Sequence, residues 1–423
     1  MPTSVSTIDS PPMSQVPPHL ANHTVAPPDL LPTIVHPIVP LSAAQIELLR
    51  LHSRLGHMSL PVIQSMLKAG KIKSMIQGAA SCALPKCAAC LYAKMRRKPW
   101  RTNQPAGSII DSLRAMPFLL PDGPLCPGTA SVDHFTCLND PGLVGHSKGT
   151  LTLQSYRGGA VFVDTESMVS YVHLQTSLNT QQTIAGKVAF EREMAKYGWA
   201  IISYHADNGI FAYNDFKAEI LSHDQPITFC GVGGHHQNDI AEKHIGDLAL
   251  TARAMLLHAT LLWPEAVTTA LWPYAMLLAN DLCNLQLRDD GRCYLQWLSQ
   301  SDITPSFSDF HPFGYLVVVL HDYLHSGASI VPCWDQQYWA GIYLGVSKFH
   351  ASSVPLVLNL VTGHITTPFH VVFDDNFSLV ESLPCQDIPN NWAQLYADCN
   401  INFISPDEFV DPSLPIPSCP SDV

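Results

Sequence analysis

The sequence predicts an α/β domain built on a mixed five-stranded sheet with flanking helices, preceded by a small helical module and followed by a small β-rich module. Three observations predict it. Between residues 128 and 284, three apolar β runs come first, and helix and strand then alternate, the pattern of a mixed sheet. Upstream, paired histidines and paired cysteines punctuate a stretch of helical periodicity. Downstream of Phe313 the helical period is lost and short β runs replace it.

Residues 1–40 are rich in proline among Ser, Thr and His and are expected to form a disordered leader. Residues 41–101 form the first module. Apolar positions from Ile46, Leu48 and Leu49 to Met66 and Leu67 suit two helices broken near Pro61, and a cysteine-bearing turn follows. The module ends in Lys94-Met-Arg-Arg-Lys-Pro-Trp-Arg101, the one dense basic run of the chain. Residues 102–127 read as a linker containing Gly and Pro.

The α/β domain spans residues 128–284. Ala130–Phe135, Ala160–Val163 and Tyr171–Leu174 read as strands, and Thr180–Tyr197 suits an amphipathic helix. Ala200–Tyr204 is a fourth strand, Phe211–Leu221 a short helix and Ile227–Cys230 a fifth strand. A long helix begins at Asp239, where Ile245, Leu248, Ala249, Ala252 and Leu256 recur at helical spacing, and Trp263–Cys283 reads as another helix. Residues 285–312 read as a linker. In 313–380, Tyr315–Leu320, Tyr338–Leu344, Leu356–Leu360 and Phe369–Phe373 suit a small β module, and 381–423 an acidic, poorly ordered tail.

Of 423 residues, 47% are hydrophobic, enough for a sizeable core, while 14% are charged, against about 25% in an average globular protein. The formal net charge of −12 argues against a general nucleic-acid binder, since duplex affinity rests on Lys and Arg meeting phosphates. The first twenty residues lack the basic and apolar regions of a signal peptide. The most apolar long stretch, 261–283, is interrupted by Pro264, Glu265, Pro273 and Asp281, so a buried helix is expected and no membrane partner. The twelve cysteines show no regular framework, so reduced thiols or a metal site are expected, in the nucleus or cytoplasm.

Three acidic residues stand at strand and helix positions. Asp133 lies inside an apolar strand, Asp207 follows a strand in His205-Ala-Asp-Asn-Gly209, and Glu242 lies in the first turn of the long helix. Carboxylates converging from rigid elements are what Mg²⁺ or Mn²⁺ requires, and two such ions can clamp the attacking and leaving oxygens of a phosphoryl transfer. Singly each has an ordinary reading: Asp133 as an edge-strand carboxylate, Asp207 as turn chemistry, Glu242 as a capping-box partner of Asp239. Upstream, His52 and His57 lie five positions apart and Cys87-Ala-Ala-Cys90 follows thirty positions after His57. Two imidazoles and two thiolates suit tetrahedral Zn²⁺, with Cys82 a competing thiol.

Ser131-Val-Asp-His-Phe135, Val161-Phe-Val-Asp-Thr165, His205-Ala-Asp-Asn-Gly-Ile210 and His236-Gln-Asn-Asp-Ile-Ala-Glu242 resemble the integrase core of copia-type LTR retrotransposons, as do Ala252–Met255 and Trp263–Ala266. The resemblance implies an RNase-H-like fold in which Asp133, Asp207 and Glu242 form the metal-binding catalytic triad. It implies a DDE polynucleotidyl transferase that processes DNA 3′ ends and joins them to a target. His52, His57, Cys87 and Cys90 resemble the family's pre-integrase zinc module, and Phe313-Gly314, Gly341–Gly345 and His370–Asp375 resemble the β region that follows the core. The implied partners are element termini and target DNA together with further copies of the chain in a homo-oligomer. Lys94, Arg96, Arg97, Lys98 and Arg101 are candidate phosphate contacts, or else a solvated linker. The sequence departs from the family pattern at Asp239, Lys243-His244 and Tyr315. Residues 129–283 hold 8 Lys and Arg against 15 Asp and Glu. A catalytically inactive relic or host-adopted nucleic-acid-binding protein and a plain RNase-H-like nuclease are therefore the competing readings.

Overall fold

A computed structural model describes residues 41–94, 128–145, 154–231, 238–288, 290–301, 306–321, 337–351, 353–360 and 362–375. The leader, the 102–127 linker, the acidic tail and Arg96, Arg97, Lys98 and Arg101 lie outside them. All described residues belong to one compact unit.

The first module begins with α1 (Ala43–Arg54), whose start is fixed by a reciprocal cap. Ser42 Oγ accepts the Gln45 amide at 3.3 Å, and Gln45 Oε1 accepts the Ser42 amide at 3.0 Å. Helix α2 (Leu60–Lys68) carries Pro61 in its first turn, where a missing N–H costs nothing. The helix break therefore precedes Pro61, at Gly56 and His57, both left-handed at φ +62° and +59°. Helix α3 (Ala88–Ala93) closes the module.

The central sheet contains β1 (Thr129–Thr136), β4 (Gly158–Asp164), β5 (Ser170–Gln175), β6 (Ser203–Ala206) and β7 (Ile227–Phe229), in the order β5-β4-β1-β6-β7. Strand β4 runs antiparallel to both β1 and β5, whereas β1, β6 and β7 are mutually parallel. This is the RNase-H-like arrangement: third, second, first, fourth and fifth strand, with the second reversed. A small hairpin of β2 (Gly142–Leu143) and β3 (Ser155–Tyr156), too short to show a period, sits between β1 and β4 in sequence.

Alternation along the strands divides the core in two. Val132, Ala160 and Phe162 pack with Phe190 of α4 (Thr180–Ala195); the Phe162 and Phe190 rings stack at 5.3 Å. Phe135, Val161 and Val163 pack with α6 (Asp239–Leu262) and α7 (Trp272–Asn284) on the other face. Helix α6 is long and apolar enough to cross a membrane, yet its buried Ile245, Leu248, Ala252 and Met255 place it in this core.

Four expectations shift. The fourth strand is Ser203–Ala206 rather than Ala200–Tyr204, because Ile202 still bonds the carbonyl of Gly128 and ladder pairing with β1 starts at Ser203. Residues 210–212 form a single 3₁₀ turn, and helix α5 (Asn214–Ser222) begins only after it. The helix expected from Trp263 starts at Trp272, with Pro273 in its first turn, since proline is tolerated there and not in a helix interior. Residues 285–312 include helix α8 (Tyr294–Leu298) and the buried Leu298, Phe307 and Phe310. Arg54 of α1 donates from Nε to the Phe310 carbonyl at 2.6 Å.

The C-terminal sheet is antiparallel, in the order β11-β10-β9-β8-β12, from β8 (Leu316–Leu320), β9 (Tyr338–Val346), β10 (Pro355–Asn359), β11 (Ile365–Thr366) and β12 (Val371–Phe373). Gly314 joins it to α6: at φ +79° its missing Cβ would lie 2.4 Å from Ala259 Cβ.

Replacing Phe162, which is fully buried, with Ala should cost roughly 3–5 kcal/mol through lost burial and a cavity. Urea unfolding followed by far-UV circular dichroism checks it, and a midpoint unchanged from wild type contradicts the packing described.

Candidate metal centres

Asp133 lies on β1, which pairs with strands on both sides, so the edge-strand reading does not hold. It shares the strand face of Phe135, the face covered by α6, and is 8% exposed. Its Oδ1 accepts the His134 amide at 2.7 Å. Burial pushes its carboxyl well above the ordinary value, and repulsion from Asp207 and Glu242 adds to the rise. Asp207 follows the last residue of β6 directly. Its Oδ1 accepts the Gly209 amide at 3.0 Å, so the residue makes the expected turn and still faces Asp133 electrostatically. Asn208 Nδ2 donates to the Cys230 carbonyl at 2.7 Å, tying this turn to the end of β7.

Glu242 sits four residues after the N-cap Asn238, so it is not in the capping-box position. Asn238 instead reaches across to β1. Ser131 Oγ donates to Asn238 Oδ1 at 2.7 Å, and Asn238 Nδ2 donates to the Val132 carbonyl at 3.1 Å. At 1% exposure this amide is satisfied on both sides, and it brings the helix start carrying Glu242 beside Asp133. Cys230 directly follows β7, and burial and then the charges of Asp207, Asp133 and Glu242 push its thiol up to about 11.

His52, His57, Cys87 and Cys90 come together in the first module, with all four ligand atoms within 4.8 Å of one another. His52 Nε2 lies 3.1 Å from His57 Nδ1 and 3.2 Å from Cys90 Sγ; His57 Nδ1 lies 3.5 Å from Cys87 Sγ. His52 Nδ1 is 2.7 Å from the Met58 carbonyl, which leaves Nε2 facing the thiols. A hydrogen bond from Cys90 holds the Cys87 thiol far below its ordinary value, helped by both imidazoles, while the same bond and burial hold Cys90 above it. Cys82 is outside the group. Among the described residues this is the one set of three or more such side chains whose ligand atoms converge so tightly, and the three carboxylates do not close to that degree.

Lys94, the described member of the basic run, donates from Nζ to the His57 carbonyl at 3.4 Å. Two residues escaped the sequence reading. Asn238 was visible only as a letter within a motif. His258 was a lone histidine in the apolar run of α6, yet its Nδ1 lies 3.1 Å from His57 Nε2. Burial pushes its pKa down to about 3, and the neighbouring His57 adds to the fall.

The GAG-pre-integrase domain family matches residues 30–95, the stretch that holds the His/Cys group. No curated protein sequence matches the chain. Among solved structures, the HTLV-2 integrase catalytic core domain in complex with magnesium is 18% identical, covering 41% of this chain and 97% of its own at a TM-score of 0.27. A simian T-cell lymphotropic virus intasome in complex with PP2A regulatory subunit B56 gamma is 14% identical, covering 67% and 93% at 0.29. The BIV integrase catalytic core domain is 12% identical, covering 41% and 95% at 0.28.

Asn238→Ala should cost about 1–3 kcal/mol, because it leaves the Ser131 hydroxyl and Val132 carbonyl without their buried partner. Hydrogen exchange should show the largest loss of protection at the start of α6; uniform protection across α6 in the variant contradicts the role given to Asn238.

Proposed function

We propose that the chain is the integrase of a copia-type LTR retrotransposon, a DDE polynucleotidyl transferase acting on DNA ends and target DNA as a homo-oligomer in the nucleus or cytoplasm. What supports the reading is the placement of Asp133 on a central strand, Asp207 just past the end of its parallel neighbour and Glu242 in the first turn of a helix, with both of the latter charges raising the Asp133 carboxyl. Such a set of oxygens, with Asp133 desolvated, suits hard divalent cations. Bound there, two Mg²⁺ or Mn²⁺ ions would supply charge neutralisation and activation of the attacking oxygen.

The chain's own contribution is positioning. Asp133 is held rigidly by two strand ladders and by the His134 amide. Asp207 is oriented by the Gly209 amide, which occupies one carboxylate oxygen. Glu242 is placed by the Asn238 anchor. The in-line step requires the reacting phosphodiester to enter over this end of the sheet, where Asp207 and Glu242 are partly exposed. The second centre, His52, His57, Cys87 and Cys90, has the donors and convergence for one Zn²⁺. The family match over residues 30–95 supports that assignment.

A second reading, an inactive relic or host-adopted nucleic-acid-binding protein, is favoured by the acidic balance of residues 129–283. One assay separates them. Purified chain is incubated with Mg²⁺ or Mn²⁺, labelled terminal-repeat DNA and a target duplex, beside Asp207→Asn. Joined product from wild type and none from the variant supports the integrase; none from either, with both folded, rejects it for the relic.

The electrostatics give a separate expectation for stability. A carboxyl whose pKa is raised on folding opposes folding once ionised. At pH 7 and without metal, Asp133→Asn should therefore stabilise the chain, by roughly 1–3 kcal/mol, and abolish any stabilisation by added Mg²⁺. Thermal unfolding with and without Mg²⁺ measures both; a destabilised variant that still responds to Mg²⁺ contradicts the site.

A further inference from the structure

The His/Cys group does not end at its four members. His57 presents Nδ1 to His52 and Cys87 and points Nε2 away, where His258 Nδ1 lies 3.1 Å off. The imidazoles of His52, His57 and His258 form a row with ring centroids 4.8 and 4.9 Å apart and near-perpendicular planes. His258 stands on α6, sixteen positions beyond Glu242 and 201 beyond His57. The turn bearing His57 is pressed against the same helices: a Cβ on Gly56 would lie 2.6 Å from Leu282 Cδ1 of α7 and 3.3 Å from Met255 Sδ of α6. Tyr315, just before β8, also meets His258, at 6.0 Å between rings, and hydrogen-bonds Ser53 of α1.

A metal held by His57 Nδ1 would set the direction of the His57–His258 bond. An imidazole that gives Nδ1 to a metal keeps its proton on Nε2 and donates it to an outer partner, and such partners tune metal affinity. We propose that His258 is an outer-sphere positioning residue of the His52/His57/Cys87/Cys90 centre, which accepts the Nε2–H of His57 and fastens the centre to the helix that carries Glu242. This rests on the zinc reading proposed above. His258 itself binds no metal. Its acceptor holds the His57 ring in the orientation that faces the thiols, and in return a filled centre holds the first module on α6.

Zinc affinity by chelator competition on the full chain tests this, with Co²⁺ absorption as a spectroscopic signature of the inner ligands. His258→Leu, which keeps bulk and loses the acceptor, should weaken Zn²⁺ binding roughly 10–100-fold. His258→Asn, whose carbonyl can replace Nδ1, should recover most of it. Both should keep the wild-type Co²⁺ spectrum, since the four ligands are unchanged, whereas Cys90→Ser should alter it and abolish tight binding. Wild-type affinity in a folded His258→Leu overturns the proposal while leaving the zinc centre standing. Absence of Zn²⁺ binding by wild type overturns both. Should His258→Leu not fold, ¹⁵N-histidine spectra of the zinc-loaded wild type decide: protonated Nε2 on His57 with bare Nδ1 on His258 is expected, and a protonated His258 Nδ1 overturns it.

Discussion

The Asn238 side chain, buried between Ser131 and the Val132 carbonyl, is the contact on which the acidic site depends. Strands β1 and β6 are parallel neighbours, so Asp133 and Asp207 arrive together as a consequence of sheet pairing. Glu242 has no such guarantee. It lies on a helix that the chain reaches only after leaving the far edge of the sheet, and a rotation of that helix by one residue would carry it about 100° away. A fully satisfied amide in the core removes that freedom, because slipping it would leave two buried polar groups without partners. The cost of assembling the site falls on Asp133, which is desolvated and repelled at once.

The same helix serves the second centre at its other end. Helix α6 presents Glu242 in its first turn and His258 towards its C-terminal end, and Gly314 of the C-terminal part packs on Ala259 one residue further on. The described residues of the first module, the sheet domain and the β-rich part therefore all pack on one element. Residues 285–312 contribute to that joining: Phe307 and Phe310 are buried, and Arg54 of α1 grips the Phe310 carbonyl. A metal in the His/Cys group would thus act on the packing of the whole unit as well as on its own module.

Much of this was legible in the sequence because it depends on local periodicity. The strands β1, β4 and β5, the helix of 24 residues and the four His/Cys positions follow from apolar runs, helical spacing and ligand spacing. Where a proline intervened the reading slipped, as at Pro273, which sits in the first turn of its helix and marks a start within the expected Trp263–Cys283 span. The β2–β3 pair and β11 are two residues long and carry no period. Asn238 and His258 were not legible at all. Their roles lie in contacts 106 to 201 positions distant in sequence, and nothing in the neighbouring residues announces a polar group that is satisfied from so far away.

Asp133, Asp207 and Glu242 are proposed to form one divalent-cation site. Anomalous diffraction from crystals grown in Mn²⁺ tests it most directly, with the cysteine sulfurs as an internal check on the phases. Two peaks roughly 3.5–4 Å apart among the three carboxylates, absent in Asp207→Asn, are expected. Manganese bound elsewhere on the chain, with none among these carboxylates at saturating concentration, would contradict it.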